Sequence, residues 1–352
     1  ASLAVPAFAD SNRAEELRAE ADRIELAEQR AKYTDELVRN ILADADARAM
    51  MQGNGSPVTV NVHGFVQTRY SYLSNGDDDA LRGFSIPRTR LILSGDIYNW
   101  NYKVSGEWND SGDMELKDAY VEGGLFGGTI RVGQFKSPFM SEVLVSDTDT
   151  LAIERSIISN QFGQGRSQGV QLGYRTRLGA VRVAYTDGFN SANGAGVQNG
   201  YALTGRLDVR ATDWMKLGFA VSHNDRVDST YNTWTTDATF SAGGFDFTGA
   251  YVATMDDVNG DNWGTVWTAS YQCTDKMQGF VQYEMGHLED VDTDLSIATV
   301  GVNYAINDNV MWTTDLGYAM NDIDASWNRG DTGWGAVSSG ETLIRTQLQI
   351  KF

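Results

Sequence analysis

The chain carries two periodicities, and the change from one to the other falls near residue 57. From Val58 onward apolar and polar side chains alternate. Val58, Val60 and Val62 are interleaved with Thr59, Asn61 and His63, and the same beat runs through Val170, Leu172 and Tyr174. It continues in Val181, Val183 and Tyr185, in Val300, Val302, Tyr304 and Ile306, and in Val310, Trp312, Leu316 and Tyr318. The final run is Ile344, Leu348, Ile350 and Phe352, which suits a closing strand. A period of two sends neighbouring side chains to opposite faces of a β-strand. The polar face holds Arg, Gln, Asn, Thr and Gly and never becomes a second apolar layer. The apolar face is rimmed by Trp and Tyr, as the two edges of a bilayer require.

There are about 16 such segments, each near the ~10 residues that cross a membrane at barrel tilt. Tight turns are predicted at Tyr98–Trp100, Phe126–Gly128, Leu178–Gly179, Asp213–Trp214, Ala242–Gly244, Thr274–Asp275 and Asn307–Asn309. The alternate connections are longer and mostly acidic, among them 74–83, 187–199, 224–230, 255–262, 289–294 and 320–340. Short turns at one end and long loops at the other are how outer-membrane barrels are built, with short turns in the periplasm. The prediction is therefore an all-β fold, a transmembrane antiparallel β-barrel over residues 58–352. Closing the sheet also removes the unpaired edges of an open one.

Residues 11–52 are of another kind. They lack Gly and Pro up to residue 52, and Leu17, Ile24, Ala31, Val38 and Ala45 recur every seven residues. Ala14, Ala21 and Leu42 form a second stripe that Glu28 and Asp35 interrupt. So narrow an apolar seam predicts an α-helical coiled-coil arm that pairs with copies of itself, the alternative being a solvated single helix. On the barrel reading the arm lies in the periplasm, and residues 53–57, GNGSP, form its hinge. Residues 1–10 end in Ala7-Phe8-Ala9, which fits either the remnant of a secretory signal or a flexible terminus.

Composition removes other classes. No run approaches the ~20 apolar residues of a membrane helix. With 28 Lys+Arg against 47 Asp+Glu, the net charge of −19 excludes nucleic acid as a partner, because phosphates are repelled. The single cysteine, Cys273, permits no internal disulfide. A barrel hydrolase needs a nucleophile beside a histidine, and His63, His223 and His287 stand in no such motif. An enzyme is not expected.

A barrel of about 16 strands is too wide for its side chains to fill, so it encloses water and needs something to narrow it. The longest non-alternating piece after the arm is 137–165. Its apolar residues (Phe139, Met140, Val143, Leu144, Val145, Leu151, Ile153, Ile157, Ile158, Phe162) suit a loop folded into the barrel better than a surface lid or a subunit contact. The loop's charges are Glu142, Asp147, Asp149, Glu154 and Arg155. Strand parity turns Arg69, Arg88, Arg90, Asp96, Arg131, Arg175, Arg177, Arg182 and Arg345 toward the lumen. A basic ladder on one wall with carboxylates facing it makes a transverse field that guides ions.

Two runs then carry a resemblance. The early one holds Pro87-Arg88-Thr89-Arg90-Leu91-Ile92-Leu93-Ser94-Gly95, then Asn101-Tyr102-Lys103-Val104, then Leu116-Lys117-Asp118-Ala119-Tyr120. The middle one holds Arg131-Val132-Gly133-Gln134-Phe135-Lys136-Ser137-Pro138-Phe139, Glu154-Arg155-Ser156 and Gly165-Arg166-Ser167-Gln168-Gly169-Val170-Gln171. Over residues 58–190 the chain resembles the phosphate-selective porin O and P family. The resemblance implies a homotrimer of 16-stranded outer-membrane porins with a constricting third loop, in contact with membrane lipid and lipopolysaccharide, and no required cofactor. Arg88, Arg90, Arg131, Lys136, Arg155 and Arg166 match its basic motif positions. One departure is that Arg155 is the only basic residue between Ser137 and Gly165. With four carboxylates in that loop, the expectation is passive diffusion of small hydrophilic solutes and ions with a weak anion or phosphate preference.

Two further expectations concern partners. Asp256, Asp257, Asn259 and Asp261 gather oxygens around Gly260, as do Asp77–Asp79 and Glu289–Asp294, although none has a full twelve-residue calcium loop. Calcium there would bridge the external loops to surface polysaccharide or a surface layer. A structural tether from the outer membrane to peptidoglycan, through the arm, is the alternative function.

Overall fold

The computed structural model describes residues 58–74, 81–109, 112–194, 200–226, 229–256, 260–327, 330 and 332–352. The signal remnant or flexible terminus at 1–10, the coiled-coil arm at 11–52 and the hinge at 53–57 lie outside them, as do Asp77–Asp79, Asp257 and Asn259.

Residues Asn61–Phe352 form one compact unit. Its strands are β1 (Asn61–Leu73), β2 (Leu81–Ile97), β3 (Trp100–Trp108), β4 (Met114–Leu125), β5 (Gly128–Lys136) and β6 (Arg166–Arg175). They continue with β7 (Gly179–Thr186), β8 (Tyr201–Arg210), β9 (Met215–Arg226), β10 (Ser229–Ala242) and β11 (Phe245–Asp256). The last five are β12 (Gly260–Thr274), β13 (Met277–Leu288), β14 (Thr293–Asn307), β15 (Val310–Ala319) and β16 (Thr342–Lys351). Each pairs antiparallel with its sequence neighbours, and β16 pairs with β1 to close a sixteen-stranded barrel. Closure is fixed by register: Val66 lies opposite Ile350, Arg69 opposite Gln347, and Gly64 exchanges both backbone hydrogen bonds with Phe352.

The alternation in the sequence becomes the two faces of the wall. Leu93, Val104, Val132, Leu172, Val183 and Leu207 point outward and are exposed, as lipid-facing residues must be without a bilayer around them. Gln67, Arg69, Gln347 and Gln349 point inward. The tight turns fall where the pattern puts them. Phe126-Gly127 and Gly243-Gly244 each carry two consecutive positive φ angles (49° and 81°, 58° and 85°), the turn whose twist matches a two-residue hairpin.

At the other end two loops are shorter than the sequence suggests. The β9–β10 ladder runs out to Arg226 opposite Ser229, and the β11–β12 ladder to Asp256 opposite Gly260, so most of those stretches are strand rather than loop. The two longest loops are the third (137–165, between β5 and β6) and the eighth (320–341, between β15 and β16). The third contains two short helices, α1 (Ser141–Leu144) and α2 (Ile157–Phe162), and the Ser156 hydroxyl accepts from the Ser159 N–H at 3.0 Å to cap α2. The apolar core of the molecule sits inside the barrel, where these loops meet the wall.

Candidate pore lining and constriction

The third loop is held in the barrel by its own apolar residues. Phe139, Met140, Val143, Ile157, Ile158 and Phe162 are buried in one cluster with Ala220 of β9, Val252 of β11, Leu288 of β13, Leu295 and Ile297 of β14 and Ala319 of β15. Fully burying a side chain of this size is worth roughly 1.5–3 kcal/mol, so an exposed loop would forfeit a large stabilisation. Two lumen positions are glycine because the loop lies against the wall there. A Cβ on Gly264 would stand 2.6 Å from Ile158 Cδ1, and one on Gly286 would stand 3.0 Å from the same atom.

Polar groups of the wall satisfy the loop's backbone. Gln67 donates to the Asp147 carbonyl at 3.2 Å, Gln349 to the Thr148 carbonyl at 3.1 Å and Asn303 to the Leu151 carbonyl at 3.0 Å. Asp315 accepts from the Ile153 N–H at 3.0 Å and Glu284 from the Ile158 N–H at 3.3 Å. Within the loop, Glu142 accepts from the Ser156 N–H (2.9 Å), the Ser156 hydroxyl (2.6 Å) and the Ser159 hydroxyl (2.5 Å). Lys136 donates to the carbonyls of Val143 and Val145 at 2.7 and 2.8 Å, and Arg155 donates to those of Glu142 and Val145 at 3.1 and 2.7 Å. Lys136, Glu142 and Arg155 therefore build the loop.

The inward arginines on β1, β2 and β16 meet carboxylates. Glu154 takes Arg88 on both oxygens (2.9 and 2.5 Å) and also Arg69. Arg90 pairs with Asp147 at 2.5 Å and with Glu107 of β3, while Asp147 also receives Arg155. Arg345 is bidentate on Asp315 at 2.8 and 2.7 Å. All of these side chains except Arg155 are buried, so they form an ion-pair lattice that latches the loop to the wall. Burial opposes the charge of Asp147, yet Arg155 and Arg90 hold its carboxyl well below the usual range. Glu154 is likewise lowered, burial being overcome by Arg88 and Arg69. Arg166 pairs with Asp118 at 2.9 Å, and Arg131 with Glu122 at 2.7 Å while stacking on Tyr120. Asp149 is exposed and pairs with Lys351 at 3.1 Å.

A different surface lies at the short-turn end of β6 to β9. Arg175, Arg177, Arg210 and Lys216 are exposed there and make no ion pair among the described residues. With Arg182, Arg206, Asp208 and Asp237 they line a recess of about 640 Å³. Arg206 is occupied by Asp208 and Asp237 at 2.7 and 2.8 Å, and Arg182 pairs with Asp208. Arg206, Arg210, Lys216 and the acceptors Glu107, Asp118, Asp237 and Asp315 were not among the expected site residues. Parity carries the signal for them, since Leu207, Val209, Leu217 and Phe219 face lipid and turn their neighbours inward.

Among the described residues no group of three or more His, Cys, Asp or Glu is arranged to hold a metal. Of the four expected calcium ligands around Gly260 only Asp256 and Asp261 are described, and the Asp261 N–H is taken by Glu289 at 2.5 Å.

A sequence model of phosphate-selective porin O and P matches residues 57–243, more than half of the 352 residues. The chain belongs to that family. A search of curated protein sequences found no match. Solved porins share the barrel. The anion-selective porin from Comamonas acidovorans aligns over 84% of this chain and 100% of its own, with 14% identity and a TM-score of 0.64. The OmpF of Salmonella typhi in complex with daunomycin covers 84% and 98% (13%, 0.64), and the trimer form of Vibrio cholerae OmpT covers 84% and 99% (14%, 0.60). At such identities the likeness is one of fold. Membership of the porin O and P family and this barrel make the protein an outer-membrane channel protein.

Proposed function

We propose that this porin O and P family member passes small hydrophilic solutes and ions by passive diffusion, with the third loop as its constriction and a weak preference for anions. The observation that carries the preference is the contrast in charge state between two lumen walls. At the third loop the arginines are matched by Glu154, Asp147, Glu107 and Asp315. On β6 to β9 four cations face water without a counter-charge. Permeating ions feel the second set, screened over ~8 Å at physiological salt. Four cations spread along an open recess concentrate anions without enclosing one, so phosphate should compete with chloride only at millimolar levels.

A homotrimer fits the family and the trimer form of the Vibrio cholerae neighbour. On this reading the short-turn end faces the periplasm, where residues 11–52 would extend. The test is the reversal potential in a KCl gradient across a planar bilayer. Wild type should favour chloride slightly, and replacing Arg175, Arg177, Arg210 and Lys216 together with Gln should remove or invert that preference. A wild type without conductance overturns the porin reading. An unchanged reversal potential in the fourfold variant overturns the placement of the anion preference.

A further inference from the structure

The eighth loop is long and acidic in sequence, yet four of its large apolar side chains are buried inside the barrel. Trp327 is 1% exposed, Ile323 2%, Val337 6% and Trp334 7%, and all four belong to the same apolar cluster as the third loop. Ile323 and Val337 exchange backbone hydrogen bonds (2.8 and 3.3 Å), which brings the two arms of the loop, 323–327 and 332–337, together at their base. Trp327 packs edge-on against Phe162 of the third loop, with ring centroids 6.4 Å apart.

The wall is shaped to receive these arms. A Cβ on Gly286 of β13 would lie 2.8 Å from Trp327 Cη2, and one on Gly317 of β15 would lie 2.7 Å from Trp334 Cζ2. Lumen-facing glycine leaves a strand weaker by its missing side chain, and here the loop's indole rings fill the space. One wall pair ties the two loops together. Asp315 accepts from the Ile153 N–H of the third loop, while Arg345, its bidentate partner, donates to the Thr332 carbonyl of the eighth.

We propose that residues 323–327 and 332–337 are a second aperture-setting element, a fixed wedge that shares one core with the third loop and narrows the passage beside it. The inference rests on the porin reading and assigns part of the constriction to β13 to β16. It predicts that the open passage lies off-centre, toward the unpaired cations of β6 to β9, so that solutes are brought past them.

The experiment compares unit conductance in planar bilayers of full-length wild type, a variant with residues 324–336 replaced by a short Gly/Ser turn, and the double variant Trp327→Ala/Trp334→Ala. Heat-modifiable migration on gels checks that each barrel is folded. The wedge deletion should raise conductance about twofold or more, because a pore's current follows its narrowest section. The double variant should raise it less and add open-channel noise. Conductance of both folded variants equal to that of wild type overturns the wedge, while the porin reading stands. A silent wild type instead overturns the porin reading itself. If the deletion does not fold, the double variant decides alone.

Discussion

Two sets of basic residues separate a latch from a pore lining. Arg69, Arg88, Arg90 and Arg345 sit on β1, β2 and β16, where the third loop brings Glu154 and Asp147 within contact and the wall adds Glu107 and Asp315. Arg175, Arg177, Arg210 and Lys216 line a recess that Ser141 of the third loop also borders, yet no carboxylate pairs with them among the described residues, and they stay exposed. All but Arg177 face the lumen by strand parity; Arg177, expected to share that face, lies instead in the turn between β6 and β7, where parity no longer applies. The difference is whether a carboxylate from another segment arrives. In the first set the charges cancel locally and their energy goes into holding a loop. In the second the charge is left for whatever passes.

The largest test acts on the latch. Glu154→Gln leaves Arg69 and Arg88 side by side without their shared anion, and an uncompensated buried charge costs about 3–5 kcal/mol. The barrel ladder is untouched, so the loss should fall on loop docking. Limited proteolysis in detergent should cut the variant between residues 145 and 165 while the barrel stays heat-modifiable, and its channels should flicker. A cleavage pattern identical to wild type would show that apolar packing alone fixes the loop.

A smaller effect sharpens the contrast from the other side. The Arg131–Glu122 pair is half-buried, and such exposed pairs contribute ~0–1 kcal/mol. Removing both charges with Arg131→Gln and Glu122→Gln should leave stability and reversal potential nearly as they are. Arg175→Gln with Arg177→Gln also alters two residues, yet it should shift the potential toward cations, and the shift should shrink in 1 M salt. Equal shifts in the two double variants would mean that pairing does not decide which lumen charges an ion meets.

The sequence makes the barrel legible for a simple reason. A wall with lipid on one side and water on the other enforces period two on every strand, and the hairpins at Phe126-Gly127 and Gly243-Gly244 announce themselves through glycine. The third loop's inward course is legible too, since so many apolar residues need cover. The eighth loop contains the same signal in Ile323, Trp327, Trp334 and Val337, but acidic residues and glycines dilute it, and it passes for an exposed loop. The latch is harder to see. Arg88 and Glu154 are 66 positions apart, and parity turns an arginine inward without saying what it meets. Their seats are equally silent, because Gly264 and Gly286 reveal their purpose only when Ile158 is in place.

The smallest expected effect is that of pH between 8 and 5, and it follows from the sign of the latch's titration. Undocked, Asp and Glu titrate near about 3.9 and 4.3. Docked, Asp147 and Glu154 are both shifted downward, because their arginines outweigh burial. A carboxyl lowered by docking contributes its full stabilisation above the undocked value and loses it as pH falls through the docked one. The latch should therefore hold unchanged from pH 8 to 5 and loosen only below about pH 4. The ion preference should be flat over the same range. Conductance and protease protection of residues 145–165, followed together against pH, check this. A transition in both with a midpoint between pH 5 and 7 would mean that a group other than these two lowered carboxyls governs loop docking.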